Sequence, residues 1–212
     1  MASSVHRKHK RWAAKPDDRI EGWDPPANYE YLFYRISAAI SQIGNASVHD
    51  QFGRGFHTEL DSHANMCVLG KHCLLLFELE TARTVNVGAF ADSDGGLSNV
   101  LIVDAMIDCD CERTNQVYLL VLRNVLYIED MNKNLIPPFI LQDAGLTVND
   151  KAKIHCEPGT ATEEDHTIQD RETDLFIPLQ FRSIFSYFPT RKPNLNDLDD
   201  GVLVAITSEG KT

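Results

Sequence analysis

Glu59-Leu60-Asp61-Ser62-His63-Ala64-Asn65-Met66-Cys67-Val68 is the stretch on which the fold of this chain turns. An apolar residue leads into Asp-Ser, then one residue, then Ala, then a short run passing from polar to apolar. Such a pattern sets a carboxylate at the end of a strand, where the chain turns. Working outward, Phe56 to Leu60, Cys73 to Leu79, Thr84 to Phe90, Val100 to Ile107, Gln116 to Leu122 and Asn124 to Ile128 are short β-branched or aliphatic runs that predict strands. Turn-formers separate them, among them Asp92-Ser93-Asp94-Gly95-Gly96 and Arg113-Thr114-Asn115. Strands at this spacing predict a mainly β domain, a small closed or half-closed β-barrel over 53–150. Leu135 to Leu146 reads as a short helix after Pro137-Pro138, ending near Gly145. Within 151–212, an acidic extension expected to be peripheral, one or two strands are predicted at Ile154 to Cys156 and Leu175 to Phe181, and Val202 to Ile206 is a segment able to pair or pack.

Further along the chain comes Leu122-Arg123-Asn124-Val125-Leu126-Tyr127-Ile128-Glu129-Asp130-Met131-Asn132-Lys133-Asn134-Leu135-Ile136. The two motifs together, over about 55–145, resemble the protease region of copia-type retrotransposon polyproteins. There an Asp-[Ser/Thr]-Gly-Ala motif precedes a segment reading roughly apolar-x-Asn-Val-Leu-Tyr-Val-Pro-x-Leu-x-x-Asn-Leu-Leu. Here Glu129 stands in place of the Pro, with Met131 and Ile136 as apolar substitutes. Ser186-Tyr187-Phe188-Pro189-Thr190-Arg191-Lys192-Pro193 is also similar to a stretch of algal copia-like polyproteins, with no chemistry attached to it. The resemblance implies a retropepsin-like aspartic protease domain, with Asp61 as the catalytic carboxylate and Ser62 as the hydroxyl that ties its loop to a neighbour. It implies a homodimer, since the chain has no second Asp-[Ser/Thr]-Gly and the chemistry needs two carboxylates sharing one proton. The substrate would be a polypeptide, the polyprotein itself, and no cofactor is implied.

A flap that closes over substrate is expected between Val87 and Val100, with Asp94, Gly95 and Gly96 at its tip. An ordinary hairpin fits the same residues. His63 departs from the motif, which has Gly. Gly allows the backbone to approach the carboxylates, and an imidazole beside Asp61 favours the ionised carboxylate over the shared proton. Two readings follow: a weak or inactive endopeptidase, or a non-catalytic degenerate fold kept as a structural or dimerising module.

Other constellations compete for the same residues. Val103-Asp104-Ala105 also ends an apolar run in Asp, read as capping a turn or meeting solvent, against a second carboxylate for Asp61. Asp108 and Asp110 read as solvent-facing. His63, Cys67, His72, Cys73, Cys109 and Cys111 are numerous enough to ligate zinc, though their spacing matches no finger or ribbon, and Cys on apolar stretches also behaves as a small hydrophobe. Cys67 with His63 as nucleophile and base lacks a third, orienting group.

Composition bounds the rest. The 212 residues are 43% hydrophobic and 24% charged, ordinary globular material, and a formal net charge of −11 argues against non-specific nucleic-acid binding by the whole chain. Residues 1–27 read as a mobile arm. Its His6-Arg7-Lys8-His9-Lys10-Arg11 cluster suits either a solvated tail or a nuclear-localisation or nucleic-acid patch. Within 28–52, Leu32, Phe33, Ile36, Ile40 and Ile43 form one apolar helical stripe that Gly44-Asn45 ends. No apolar run approaches membrane-spanning length. The five cysteines lack a framework spacing, and the expected compartment is cytoplasmic or nuclear.

Overall fold

The computed structural model describes residues 56–76, 83–88, 96–111, 113–182, 184–197 and 201–208. The basic arm, the amphipathic stripe and two of the flap candidates, Asp94 and Gly95, lie outside the described residues. The fold is mainly β. In chain order the strands are β1 (His57–Leu60), β2 (Val68–Leu69), β3 (Leu74–Leu75), β4 (Arg83–Val87), β5 (Leu97–Cys111), β6 (Gln116–Tyr127) and β7 (Asn134–Ile136). The helix α1 (Pro138–Asp143) follows, then β8 (Thr147–Asn149), β9 (Thr167–Asp170), β10 (Leu175–Pro178), β11 (Gln180–Arg182), β12 (Phe185–Pro189) and β13 (Val202–Ala205).

The frame is the β5–β6 hairpin, the two longest strands among the described residues. Alternation puts Val103, Ala105, Ile107, Cys109 and Cys111 of β5 and Tyr118, Leu120 and Leu122 of β6 into the main core. The opposite face is covered too: Met106, Leu119 and Val121 pack with Leu74 and Leu76 in a second, smaller cluster. Each of these large apolar side chains, once fully buried, contributes about 1.5–3 kcal/mol. The two β6 runs read from sequence as separate strands are one strand with a bulge. Val103 pairs with Val125 and Ala105 with Leu122, so Arg123 and Asn124 together face Asp104. Asn124 takes the left-handed conformation there (φ 54°), which Asn tolerates, and its N–H donates to the Asp104 carboxylate.

The main sheet runs β11-β12-β1-β7-β2-β6-β5-β3, with β13 beside β6 and β4 beside β5. The outer edge of β5 receives β4, then β3, and finally a single antiparallel bridge from Asp108 to Arg191, just past β12. A separate three-stranded sheet holds β8, β9 and β10. After residue 150 the chain therefore carries five strands rather than one or two, and three of them belong to the main sheet. Ile154 to Cys156, expected to be a strand, instead overlaps a 3-10 turn at Lys153–His155. The run Leu175 to Phe181 divides between β10 and β11, in different sheets. Strands this short carry too little periodicity to show where they pair.

Around Asp61 the decisive feature is β7. It lies between β1, to which it is parallel, and β2, to which it is antiparallel, so the loop joining β1 to β2 must cross its end. A chain of buried polar groups fastens this arrangement. Gly70 N–H donates to Asn134 Oδ1 (3.0 Å), Asn134 Nδ2–H donates to Thr58 Oγ1 (3.2 Å), and Thr58 shares a hydroxyl bond with Thr190 (2.9 Å). Gly70 also lies so close to Met131 that a Cβ there would stand 2.1 Å from its carbonyl oxygen. Asn134→Ala leaves the Gly70 N–H without its acceptor in a buried position, and a loss of about 2–4 kcal/mol in urea denaturation is expected. Gly70→Ala should cost at least about 1–3 kcal/mol by overpacking.

Candidate active site around Asp61

Asp61 is the first residue after β1. Its N–H donates to the Ile136 carbonyl of β7 (3.1 Å), which continues the β1–β7 ladder one step into the loop. Its carboxylate accepts the His63 N–H (2.9 Å), closing a local turn, and remains 26% exposed. The sequence expectation for His63 is met in part. Its Nδ1 stands 3.7 Å from Asp61 Oδ1, within ion-pair range, but the ring is 89% exposed. Such a pair in water is worth little. His63 also keeps a negative φ, so the position does not demand Gly for backbone reasons within one chain. Ser62 is exposed.

Glu59, inside the quoted stretch, is a residue that sequence reasoning passed over. It is nearly buried and bonds both His57 Nε2 (3.0 Å) and Lys133 Nζ (2.5 Å). Burial pushes its carboxyl up, but the Lys133 and His57 bonds outweigh this and hold it below the usual range. Lys133 and Asn134 both belong to the second motif. The two motifs are thus joined by the Glu59–Lys133 ion pair, and the Asn134 amide bonds Thr58 and Gly70, which flank the first motif.

The expected flap strands do pair. β4 runs antiparallel to β5 out to Val87 opposite Leu97, with Val87 half-buried and Leu97 exposed. Gly96 is required by close approach, since a Cβ there would meet the Val87 carbonyl oxygen at 2.5 Å. Asp104 is not a partner for Asp61. It sits on β5, four strand positions from β1, and its carboxylate serves the bulge at Asn124.

The zinc candidates are not assembled: among the described residues no three His, Cys, Asp or Glu side chains form a group able to hold a metal. Burial pushes the Cys67 and Cys109 thiols up to about 12, unfavourable for a thiolate ligand or nucleophile. Cys111 donates its S–H to the Phe176 carbonyl (3.1 Å), and His72 stacks on Phe56. Among the described residues no helix is long and apolar enough to cross a membrane.

A charged hub also went unread in the sequence. Arg191 spends all five guanidinium N–H donors on three carboxylates. Nε and Nη2 reach Asp110 (2.9 and 2.9 Å), Nη1 reaches Asp108 (3.0 Å), and Nη1 and Nη2 reach Asp197 (2.6 and 2.7 Å). Asp110 is exposed as expected. Asp108 is not: it is fully buried, because Arg191 and Asp197 cover the face of β5 that alternation had assigned to solvent. Burial, then the neighbouring Asp197, pushes the Asp108 carboxyl up to about 9 against the pull of Arg191. Asp197 lies below the usual range because its bonds with Arg191 outweigh burial. Within this pair the protonated form is favoured at Asp108 and the ionised form at Asp197.

Comparison with protein families, curated proteins and solved structures finds no match to this chain.

The hub sets a pH dependence. Native Asp108 keeps a proton that the unfolded chain releases near 3.8, so its contribution to stability is full below that value and is lost as pH rises toward about 9. Thermal unfolding should show Asp108→Asn gaining on wild type across pH 4 to 9. Arg191→Ala, which takes the guanidinium from buried Asp108 and from the Asp197 carboxylate, should cost about 2–3 kcal/mol at pH 7, discounted for the one-third exposure of the guanidinium.

Proposed function

We propose that this chain is an aspartic endopeptidase-like domain of a copia-type retroelement polyprotein, acting as a homodimer on polypeptide substrate. The observation that carries this reading is the setting of Asp61. Its loop crosses the end of β7, is bonded to it through the Ile136 carbonyl, and is flanked on both sides by partners of the buried Asn134 amide. A carboxylate held in this way is fixed in position yet partly open to solvent, as a general acid or base must be.

One Asp61 cannot perform the reaction. An aspartic protease needs two carboxylates, one ionised to activate water and one protonated to donate to the scissile amide. A two-fold axis beside the loop would set Asp61 against its own copy. The exposed Ser62 hydroxyl is then available to the partner's loop, and the β4–β5 hairpin to a bound peptide. In this reading the Asp108–Arg191 bridge closes the path from β12 through β1, β7, β2, β6 and β5 into a small barrel.

His63 supports a second reading, a degenerate protease fold kept as a dimerising module. Two exposed imidazoles at such an axis, once protonated, favour two ionised carboxylates and oppose the shared proton. The readings separate in a peptide-library cleavage assay from pH 3 to 7. The endopeptidase reading expects wild-type cleavage, a drop of about 10²–10⁴-fold in kcat/KM for Asp61→Asn, and a gain for His63→Gly. No cleavage by folded wild type or His63→Gly, from a protein that sediments as a dimer, would leave the module.

A further inference from the structure

Where the two sheets meet, Ser186 of β12 and His166, which immediately precedes β9, hydrogen-bond through Oγ and Nε2 at 2.9 Å. We propose that Ser186 is an activated nucleophile with His166 as its general base, a second reactive site that takes esters of apolar acids. The site is separate from Asp61 and does not rest on the endopeptidase reading.

Geometry comes first. A hydroxyl and an imidazole within hydrogen-bond reach form the core of a nucleophile–base pair, provided something fixes the ring. Here the backbone sets where the ring projects from, and the Phe181 ring packs edge-on against it. His166 is held in the left-handed conformation (φ 61°), uncommon for a residue with a side chain, and its carbonyl accepts the Leu179 N–H (2.8 Å). The Ser186 hydroxyl has one other neighbour, the Asp150 carbonyl at 3.5 Å, too far to compete with the imidazole.

The surroundings supply an apolar wall. Phe181 stands directly across from Ser186 in the β11–β12 pair, so both side chains share one face of the sheet. Its ring is 41% exposed and meets the His166 and His155 rings edge-on, at 6.3 and 6.0 Å. Ser186 itself is half-buried, within reach of a small ligand lying along Phe181. The groups facing His166 are Asp150, Lys153, the backbone of Leu179, Ser186 and Phe181, with His155 beyond that ring. Burial, helped by Lys153, holds the imidazole below its ordinary value against Asp150 and Leu179, so at neutral pH it is unprotonated, as a base must be.

The step balances without a cofactor. Ser186 Oγ bonds to the acyl carbon as its proton passes to His166 Nε2. The bond to the alcohol oxygen breaks, and that oxygen takes the proton. Water, deprotonated by the same nitrogen, then cleaves the acyl-serine to free acid and Ser186.

The test uses the whole chain with an alkyl fluorophosphonate, which phosphonylates activated serines, and maps the adduct by peptide mass spectrometry. The expected result is one adduct, on Ser186. It should be absent from Ser186→Ala and form about 10²-fold or more slowly in His166→Gln, which can still hydrogen-bond but cannot accept the proton. The wild-type rate should fall as pH drops through and below the ordinary imidazole range. An adduct scattered over several serines, or a Ser186 rate that neither pH nor His166→Gln alters, would overturn the proposal. If a variant fails to melt cooperatively, the wild-type adduct position and pH profile decide alone.

Discussion

The buried side-chain amide of Asn134 is the constraint on which the Asp61 region depends. Its oxygen takes the N–H that follows β2, its nitrogen reaches the hydroxyl of β1, and that hydroxyl in turn meets Thr190 beyond β12. One residue's two polar atoms thus tie β7 to β1 and to the residue after β2, and the Thr58 hydroxyl carries the link on to Thr190. A buried network of this kind is stabilising only when every member is satisfied. It also has a register: moving β7 by one residue would present Leu135 to Gly70 and Thr58 and leave their polar groups unmatched. The position of the Asp61 loop is therefore set by this network, while its exposed side, where His63 lies, takes no part in it.

The second organising element is electrostatic and lies on the far edge of β5. One guanidinium gathers three carboxylates there, in a chain whose overall balance is strongly acidic. Neutralising local repulsion and bridging Asp108 to the segment after β12 are done by the same residue. That economy explains how acidic residues from β5 and from the C-terminal stretch come to lie together.

Local features of this fold were legible in the sequence and relations between distant segments were not. The strand ending at Asp61, the hairpin around Gly96, the β5–β6 pair and the helix after Pro137 all announce themselves through alternation or turn chemistry within a few residues. Asp61 and His63 lie together because they are two positions apart. Glu59 with Lys133, Asn134 with Gly70, and Arg191 with Asp108 could not be read, since each pair is joined only by the folded topology. Asp108 is the instructive failure. Alternation placed it opposite Cys109 correctly, but the face it occupies is covered by Arg191 and Asp197, more than 80 residues later. After residue 150, Leu175 to Phe181 and Val202 to Ile206 were legible as runs able to pair, whereas β9 and β12 were not: four or five residues give no period, and only their partners define them.

The Thr58–Thr190 bond spans 132 positions of chain. β1 gains its β12 neighbour, and Asn134 the last member of its network, only once residues 185–190 have left the ribosome. Pairings of such long range are slow to form, because chain entropy must be overcome before any contact rewards it. The bonds of the Asp61 loop to β7 draw on Asn134 and Ile136, which come earlier in the chain. The loop's full support waits on residues 185–190. Residues 185–190 thus complete a region laid down far earlier in the chain.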